Sequence, residues 1–106
     1  MTVRNEIHRL VADAFYRAQA GGDLPALELP EFAVERPARP EHGDFAVSLA
    51  LRLARAARMP PLRIAEAISR QIDRADFLAR VEVAAPGFIN FFLDDGWLCR
   101  QVDEIL

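Results

Sequence analysis

Residues 81–93 read VEVAAPGFINFFL and give a plain signal for two β-strands joined by a tight turn. Valines alternate with a glutamate at 81–83, which is typical of a half-buried strand. Pro86 and Gly87 supply the turn, and residues 88–93 predict a second strand. These two strands form the base of the predicted sheet.

The second strand has apolar side chains on both faces, with one exception. Alternation along a strand places Phe88, Asn90 and Phe92 on one face, and Ile89, Phe91 and Leu93 on the other. An aromatic ring and an amide on the same face can bind an unpaired RNA base, because the ring stacks on the base and the amide hydrogen-bonds its edge. The alternative is that Phe88 belongs to the core and Asn90 satisfies a neighbouring backbone group.

The residues before this stretch predict three helices and one further strand. Apolar residues at spacings of three and four predict a first helix that begins after Thr2 and ends at Gly21 and Gly22. A half-buried strand is predicted over 31–36, and Asp44 is the predicted N-cap of a second helix over 45–58. A third helix begins near Pro61, where a missing N–H costs nothing, and buries Ile64, Ile68 and Ile72.

After the second strand, Asp94 or Asp95 caps a predicted fourth helix that contains Cys99 and continues to the final residue. The order of elements is then α, β, α, α, β, β, α. This order indicates an α+β fold, with a small and mainly antiparallel sheet covered by about four helices. We expect residues 1–106 to form a single domain. Because no stop signal ends the last helix, we also expect the chain to be a fragment of a longer protein.

The net charge of −3 conceals a basic middle section. Residues 1–35 hold three Arg and six acidic residues, residues 36–80 nine Arg and five acids, and residues 81–106 one Arg and five acids. Arginines on the solvent faces of the second and third helices are candidate phosphate contacts: Arg52, Arg55, Arg63, Arg70 and Arg74. Arg63, Arg70 and Arg74 are predicted to line one face of the third helix. A merely solvated helix face explains these residues almost as well.

Several classes of function find little support in the residues. No apolar run approaches the length of about 20 needed to span a bilayer. There is no Gly-rich phosphate loop, no nucleophile elbow and no metal-ligand spacing, and Cys99 is best interpreted as a packing residue. His42 and Asp44 are conceivable as the acid–base pair of a small hydrolase, but Asp44 is better interpreted as a cap and His42 as a solvated loop residue.

Three segments of this sequence together resemble a known family. They are EHGDFA at 41–46, LRLAR at 51–55 with Ile64 and Ala65 after it, and above all VEVAAPGFINFFL at 81–93. In this order and separation they resemble the N-terminal additional domain of arginyl-tRNA synthetases, over nearly the whole chain. One departure is Ala85, where the family often has Gly, which should affect only the flexibility of the turn.

The resemblance implies a function in RNA recognition. In that family the domain packs on a class I catalytic core and recognises a D-loop nucleotide at the outer corner of arginine tRNA. The resemblance places base recognition at Phe88 and Asn90, with Phe92 as a neighbour. It implies that the parent protein is an arginine–tRNA ligase, a monomer that uses ATP and arginine in a later domain. The composition, with a single Cys, suits a cytoplasmic protein. The signatures of that catalytic domain are absent here, so the chain alone should hold no cofactor and be inactive. The alternative is a free-standing interaction module for RNA or protein with the same fold and no enzyme attached.

Overall fold

The computed structural model describes residues 2–94, and within them three α-helices accompany a three-stranded antiparallel sheet. In chain order the elements are α1 (Val3–Ala20), a short 3-10 helix (Pro40–His42), β1 (Phe45–Val47), α2 (Leu49–Ala57), α3 (Pro61–Arg70), β2 (Leu78–Ala84) and β3 (Phe88–Leu93). The α+β prediction is confirmed. The predicted fourth helix and Cys99 lie outside the described residues.

The first helix has the predicted ends and the predicted buried face. The Thr2 hydroxyl accepts a hydrogen bond of 3.1 Å from the backbone N–H of Asn5, and the helix is capped at Gly21. Its apolar stripe is buried along its whole length: Val3, Ile7, Leu10, Val11, Ala14, Phe15 and Ala18. On the exposed side, the hydrogen bond and charge of Glu6 raise the pKa of Arg9 above its usual value. This arginine is therefore occupied within its own helix.

The prediction of one helix over 45–58 is wrong in its first turn. Phe45–Val47 is a strand, and α2 begins only at Leu49. Phe45 lies opposite Phe91 and Val47 opposite Ile89 in the sheet. Pairing with β3 buries both side chains, and this tertiary gain outweighs the local preference for helix.

Asp44 is not a helix cap, which corrects a second prediction. Its carboxylate accepts a hydrogen bond of 2.8 Å from the backbone N–H of Leu93, and its own N–H donates to the carbonyl of Phe91 at 2.9 Å. Asp44 therefore fastens the start of β1 to the end of β3.

The predicted strand over 31–36 is also wrong, although its alternation is correct. Val34 is buried, whereas only Glu35 pairs with another chain segment, through two backbone hydrogen bonds to Ala46 of 2.9 and 2.7 Å. Pro37 follows closely and cannot donate to a ladder, so the pairing stops after one bridge. The remainder of this segment is a loop against the edge of β1.

The third helix begins at Pro61 as predicted but ends at Arg70, so Arg74 does not share a helix face with Arg63 and Arg70. Arg17 of α1 explains the early end. Its guanidinium donates to the backbone carbonyl of Gln71 at 3.0 Å and to the carboxylate of Asp73 at 2.8 Å, which holds this segment in a turn. Ile72 likewise lies beyond the helix, and it packs against the core.

The sheet has the strand order β1-β3-β2, so β3 lies in the centre. Its inner face consists of Ile89, Phe91 and Leu93, which join the helices in one buried core. The predicted division of β3 into two faces is confirmed. The outer face carries Phe88, Asn90 and Phe92. Within residues 2–94, no helix is long and apolar enough to cross a bilayer.

Candidate functional site

A cleft of about 310 Å³ lies on the outer face of the sheet, and both Phe88 and Asn90 line it. Its other walls come from the loop at 35–38, from Ala46 in β1 and from residues 84–85 at the turn before β3. The structure therefore brings together the two side chains for which base recognition is predicted.

Asn90 forms the floor of this cleft, and its amide has no hydrogen-bond partner among residues 2–94. The residue is 5% exposed and lies between Ala46 of β1 and Glu82 of β2 in the sheet register. The side chain of Asn90 forms no hydrogen bond within residues 2–94. In that range, every side-chain N or O atom that is fully enclosed has a hydrogen-bond partner, so the amide of Asn90 is not fully enclosed. The amide must therefore open to the cleft, ready to pair with a ligand.

Phe88 stands beside the amide and is half-buried. Its register partner on β2 is Ala84, and Ala46 lies opposite Asn90, so small side chains leave room in front of both groups. A flat ring that stacks on Phe88 would present its edge to Asn90. This is the geometry by which unpaired bases are commonly bound.

Phe92 lies on the same face but not in the cleft. The guanidinium of Arg80 covers its ring, with 3.9 Å between the guanidinium carbon and the ring centroid. Arg80 is also paired with Glu82 at 2.6 Å. The aromatic surface of Phe92 is thus already occupied by an arginine, whereas that of Phe88 is not.

Two further residues line the cleft that were not predicted as binding residues. Arg36 lies in the loop that the Glu35–Ala46 bridge holds against β1. His42, interpreted from the sequence as a solvated loop residue, ends the 3-10 helix. His42 falls in the segment EHGDFA, so the resemblance was a signal for it. Arg36 had none, because its position depends on pairing between residues far apart in the sequence.

The five candidate phosphate-binding arginines lie on other surfaces. Arg52 donates to the backbone carbonyl of Glu31 at 3.3 Å and borders an open hollow with His8 and Phe32. Arg63 and Arg70 border another hollow beside α3, and Arg74 a third near Arg80. Arg55 is exposed on α2. None of the five lines the cleft.

The acid–base pair considered from the sequence, His42 with Asp44, does not form. No hydrogen bond joins His42 and Asp44 in the described part of the chain, and the carboxylate of Asp44 accepts from the backbone of Leu93. No group of His, Cys, Asp and Glu between residues 2 and 94 could hold a metal ion. The cleft thus combines the ring of Phe88 with the amide of Asn90, and Glu35 and His42 lie at its other walls.

Comparison with known proteins connects this fold to a family. A family model described as the arginyl tRNA synthetase N-terminal domain matches residues 2–93. The chain is 46% identical to an arginine–tRNA ligase of Moorella thermoacetica over 111 residues, which cover 100% of this chain and 20% of that ligase. It is 44% identical to the ligase of Heliobacterium modesticaldum, over 96% of this chain and 19% of the ligase. The chain thus spans about a fifth of the length of these relatives.

Solved structures show the same likeness. An arginyl-tRNA synthetase of Thermus thermophilus matches 94% of this chain with a TM-score of 0.72 and 25% identity, over 15% of its own chain. The enzyme of Plasmodium falciparum matches 98% of this chain and 19% of its own, with a TM-score of 0.75 and 13% identity. The second likeness concerns the fold alone.

Proposed function

Because this chain belongs to the family of arginyl-tRNA synthetase N-terminal domains, we propose that it recognises a D-loop nucleotide of arginine tRNA in the cleft at Phe88 and Asn90. The observation that carries the proposal is the amide of Asn90, which is buried, has no partner within residues 2–94 and opens beside an aromatic ring. Because the amide opens to the cleft, water can reach it, and a ligand edge with matching donors and acceptors can take the place of that water.

The two side chains have different tasks in this proposal. The base stacks on Phe88, which contributes about 1–3 kcal/mol whatever the base, since every base has a π face. Asn90 offers one acceptor and two donor positions to the edge of the base, and a wrong edge leaves the buried amide unpaired. Phe88 therefore supplies affinity, and Asn90 supplies discrimination.

The remaining parts of the proposal concern the longer protein. We propose that its catalytic core, outside this chain, attaches arginine to the tRNA and binds ATP and arginine, and that this domain packs on that core. Phe92 would support the site from the same sheet face through its contact with Arg80. The arginines at 52, 55, 63, 70 and 74 would contact phosphates only where the tRNA extends beyond the cleft.

The test is binding of arginine tRNA by this chain and its variants at low salt, measured by fluorescence anisotropy. We expect Phe88→Ala to lose about 1–3 kcal/mol of binding free energy with every tRNA. Asn90→Ala should bind the unchanged tRNA and a tRNA with a substituted D-loop nucleotide almost equally, because the group that distinguishes the base edges is gone.

Two substitutions outside the cleft serve as matched controls. Phe32→Ala also removes a half-buried ring, one that stacks on His8 at 4.1 Å between centroids, and Asn5→Ala removes the other asparagine of the chain. Both should leave tRNA affinity unchanged. Wild-type affinity and base preference in both cleft variants would refute the proposal.

A further inference from the structure

One row of residues crosses the outer face of the sheet at the level of the cleft. Glu35 is bridged to Ala46 of β1, and Ala46 lies opposite Asn90 of β3. On the other side of Asn90, Glu82 of β2 completes the row. Residues that lie directly opposite one another in antiparallel pairing carry their side chains on the same face. The row therefore places one carboxylate on each side of the Asn90 amide.

The carboxylate of Glu35 is available to a ligand, whereas that of Glu82 is not. Glu82 accepts a hydrogen bond of 2.6 Å from Nε of Arg80 and does not line the cleft. Glu35 is exposed and lines the cleft, and within residues 2–94 its carboxylate forms neither a hydrogen bond nor an ion pair. Its backbone is fixed, because its N–H and its carbonyl pair with Ala46 at 2.9 and 2.7 Å. Glu35 thus presents a free acceptor from a fixed backbone.

The spacing leaves room for a flat base between this carboxylate and the amide. Neighbouring strands lie about 4.8 Å apart, so two spacings, or about 10 Å, separate the backbones of Glu35 and Asn90. Between them, Ala46 extends only a methyl group toward the cleft. A base that stacks on Phe88 with its edge at Asn90 has the Glu35 carboxylate within reach of the same edge, because no partner holds that flexible side chain elsewhere in the described part of the chain.

The carboxylate distinguishes bases by the group that faces it. An amide offers donors and an acceptor, but a carboxylate accepts hydrogen bonds and donates none. Adenine, cytosine and guanine each carry an exocyclic amino group, which donates to such an acceptor. Uracil carries carbonyl oxygens at both exocyclic positions, and a carboxylate repels an oxygen of this kind.

We propose that Glu35 is a specificity-determining residue of the cleft, which accepts a hydrogen bond from the exocyclic amino group of the bound base and disfavours uracil. The inference rests on the proposed function and adds to it the class of base that the site takes. The carboxylate also repels RNA phosphates, so Glu35 lowers the affinity for any RNA that does not offer this hydrogen bond.

The experiment compares two arginine tRNA transcripts that differ only in cytosine or uracil at one D-loop position. The position is the one at which Asn90→Ala changes the base preference, because that nucleotide occupies the cleft. Cytosine and uracil are of equal size, and the exchange replaces an amino group by a carbonyl oxygen. Affinities of this chain are measured by fluorescence anisotropy at low salt.

We expect the wild-type chain to prefer the cytosine transcript and Glu35→Gln to reduce that preference about tenfold. The variant loses a hydrogen bond to a charged acceptor, and the glutamine amide can donate to the uracil oxygen. Affinity should therefore fall for the cytosine transcript and rise for the uracil transcript.

Glu31→Gln is the matched control, because it removes an equal charge from the same segment at a residue that lines a different hollow. It should keep the wild-type preference. A carboxylate that only repels RNA predicts instead that Glu35→Gln binds both transcripts more tightly by the same factor. That result, or a wild-type chain that does not prefer cytosine, would overturn the role of Glu35 and leave the proposed function standing.

The proposed function fails in a different way. If the wild-type chain binds no arginine tRNA, or if Phe88→Ala and Asn90→Ala keep its affinity and base preference at every D-loop position, the cleft does not recognise a base. The role of Glu35 is then overturned together with the proposed function.

Discussion

Gly43 shows how closely a single residue constrains the start of β1. Its backbone has φ 90° and ψ −170°, a combination that is essentially restricted to glycine. A Cβ at this position would stand 2.7 Å from the carbonyl oxygen of Phe91. The chain therefore passes over β3 at a distance that leaves no space for a side chain, directly before Asp44 makes its hydrogen bonds.

We expect Gly43→Ala to destabilise the protein by about 3 kcal/mol, because backbone strain and a clash with β3 act together. Gly22→Ala is the matched control: its φ is also positive, at 88°, but no atom lies within 4 Å of the added Cβ. It should cost about 1 kcal/mol. Urea unfolding followed by circular dichroism measures both losses, and equal losses would contradict the close approach to Phe91.

At the scale of elements, the junction of β1 and β3 depends on Asp44. Its carboxylate accepts the N–H of Leu93 at 2.8 Å, so the last residue of the central strand has a side-chain partner. We expect Asp44→Ala to cost about 1.5–3 kcal/mol of unfolding free energy, since a hydrogen bond to a charged acceptor is lost. Asp44→Asn keeps an acceptor oxygen and should cost clearly less. Equal urea midpoints for Asp44→Ala and the wild type would show that the contact contributes nothing.

The junction of β1 and β3 also shows which parts of the fold can be predicted from sequence patterns and which cannot. The second hairpin strand was predicted with its correct bounds because its turn signal and its alternation lie within a few residues of each other. β1 was missed because a three-residue strand has no periodicity of its own, and its pairing partner lies more than 40 residues away. Phe88 and Asn90 were placed correctly on one face by alternation alone. Arg36 was not found, because only the Glu35–Ala46 bridge brings it to the cleft.

At the scale of the whole molecule, the arginines are distributed over several surfaces. The helices pack on the inner face of the sheet, and the cleft opens on the outer face. Arg63 and Arg70 border a hollow beside α3 together with Glu66 and Asp23, so acidic neighbours reduce the potential there. The basic middle section of the sequence is therefore not one basic patch of the fold.

We expect the double variant Arg63→Gln/Arg70→Gln to keep the salt slope of tRNA binding close to the wild-type value, although it removes two positive charges. The reason is position, since neither residue lines the cleft. Anisotropy titrations at several salt concentrations compare the double variant with the wild type. A decrease of about 1.4 in the double variant would mean that both residues contact phosphates and that the RNA covers α3 as well.

The central position of β3 has a consequence for synthesis on the ribosome. β3 pairs with both other strands, and among the three strands it is the last to be translated. Until β3 has been synthesised, β1 has no neighbouring strand to pair with. The apolar faces of the three helices also remain exposed, because the sheet that covers them has not formed. The sheet can close only after residue 93 has left the exit tunnel, so we expect this unit to fold late and in one step, with the cleft at Phe88 and Asn90 among the last features to form.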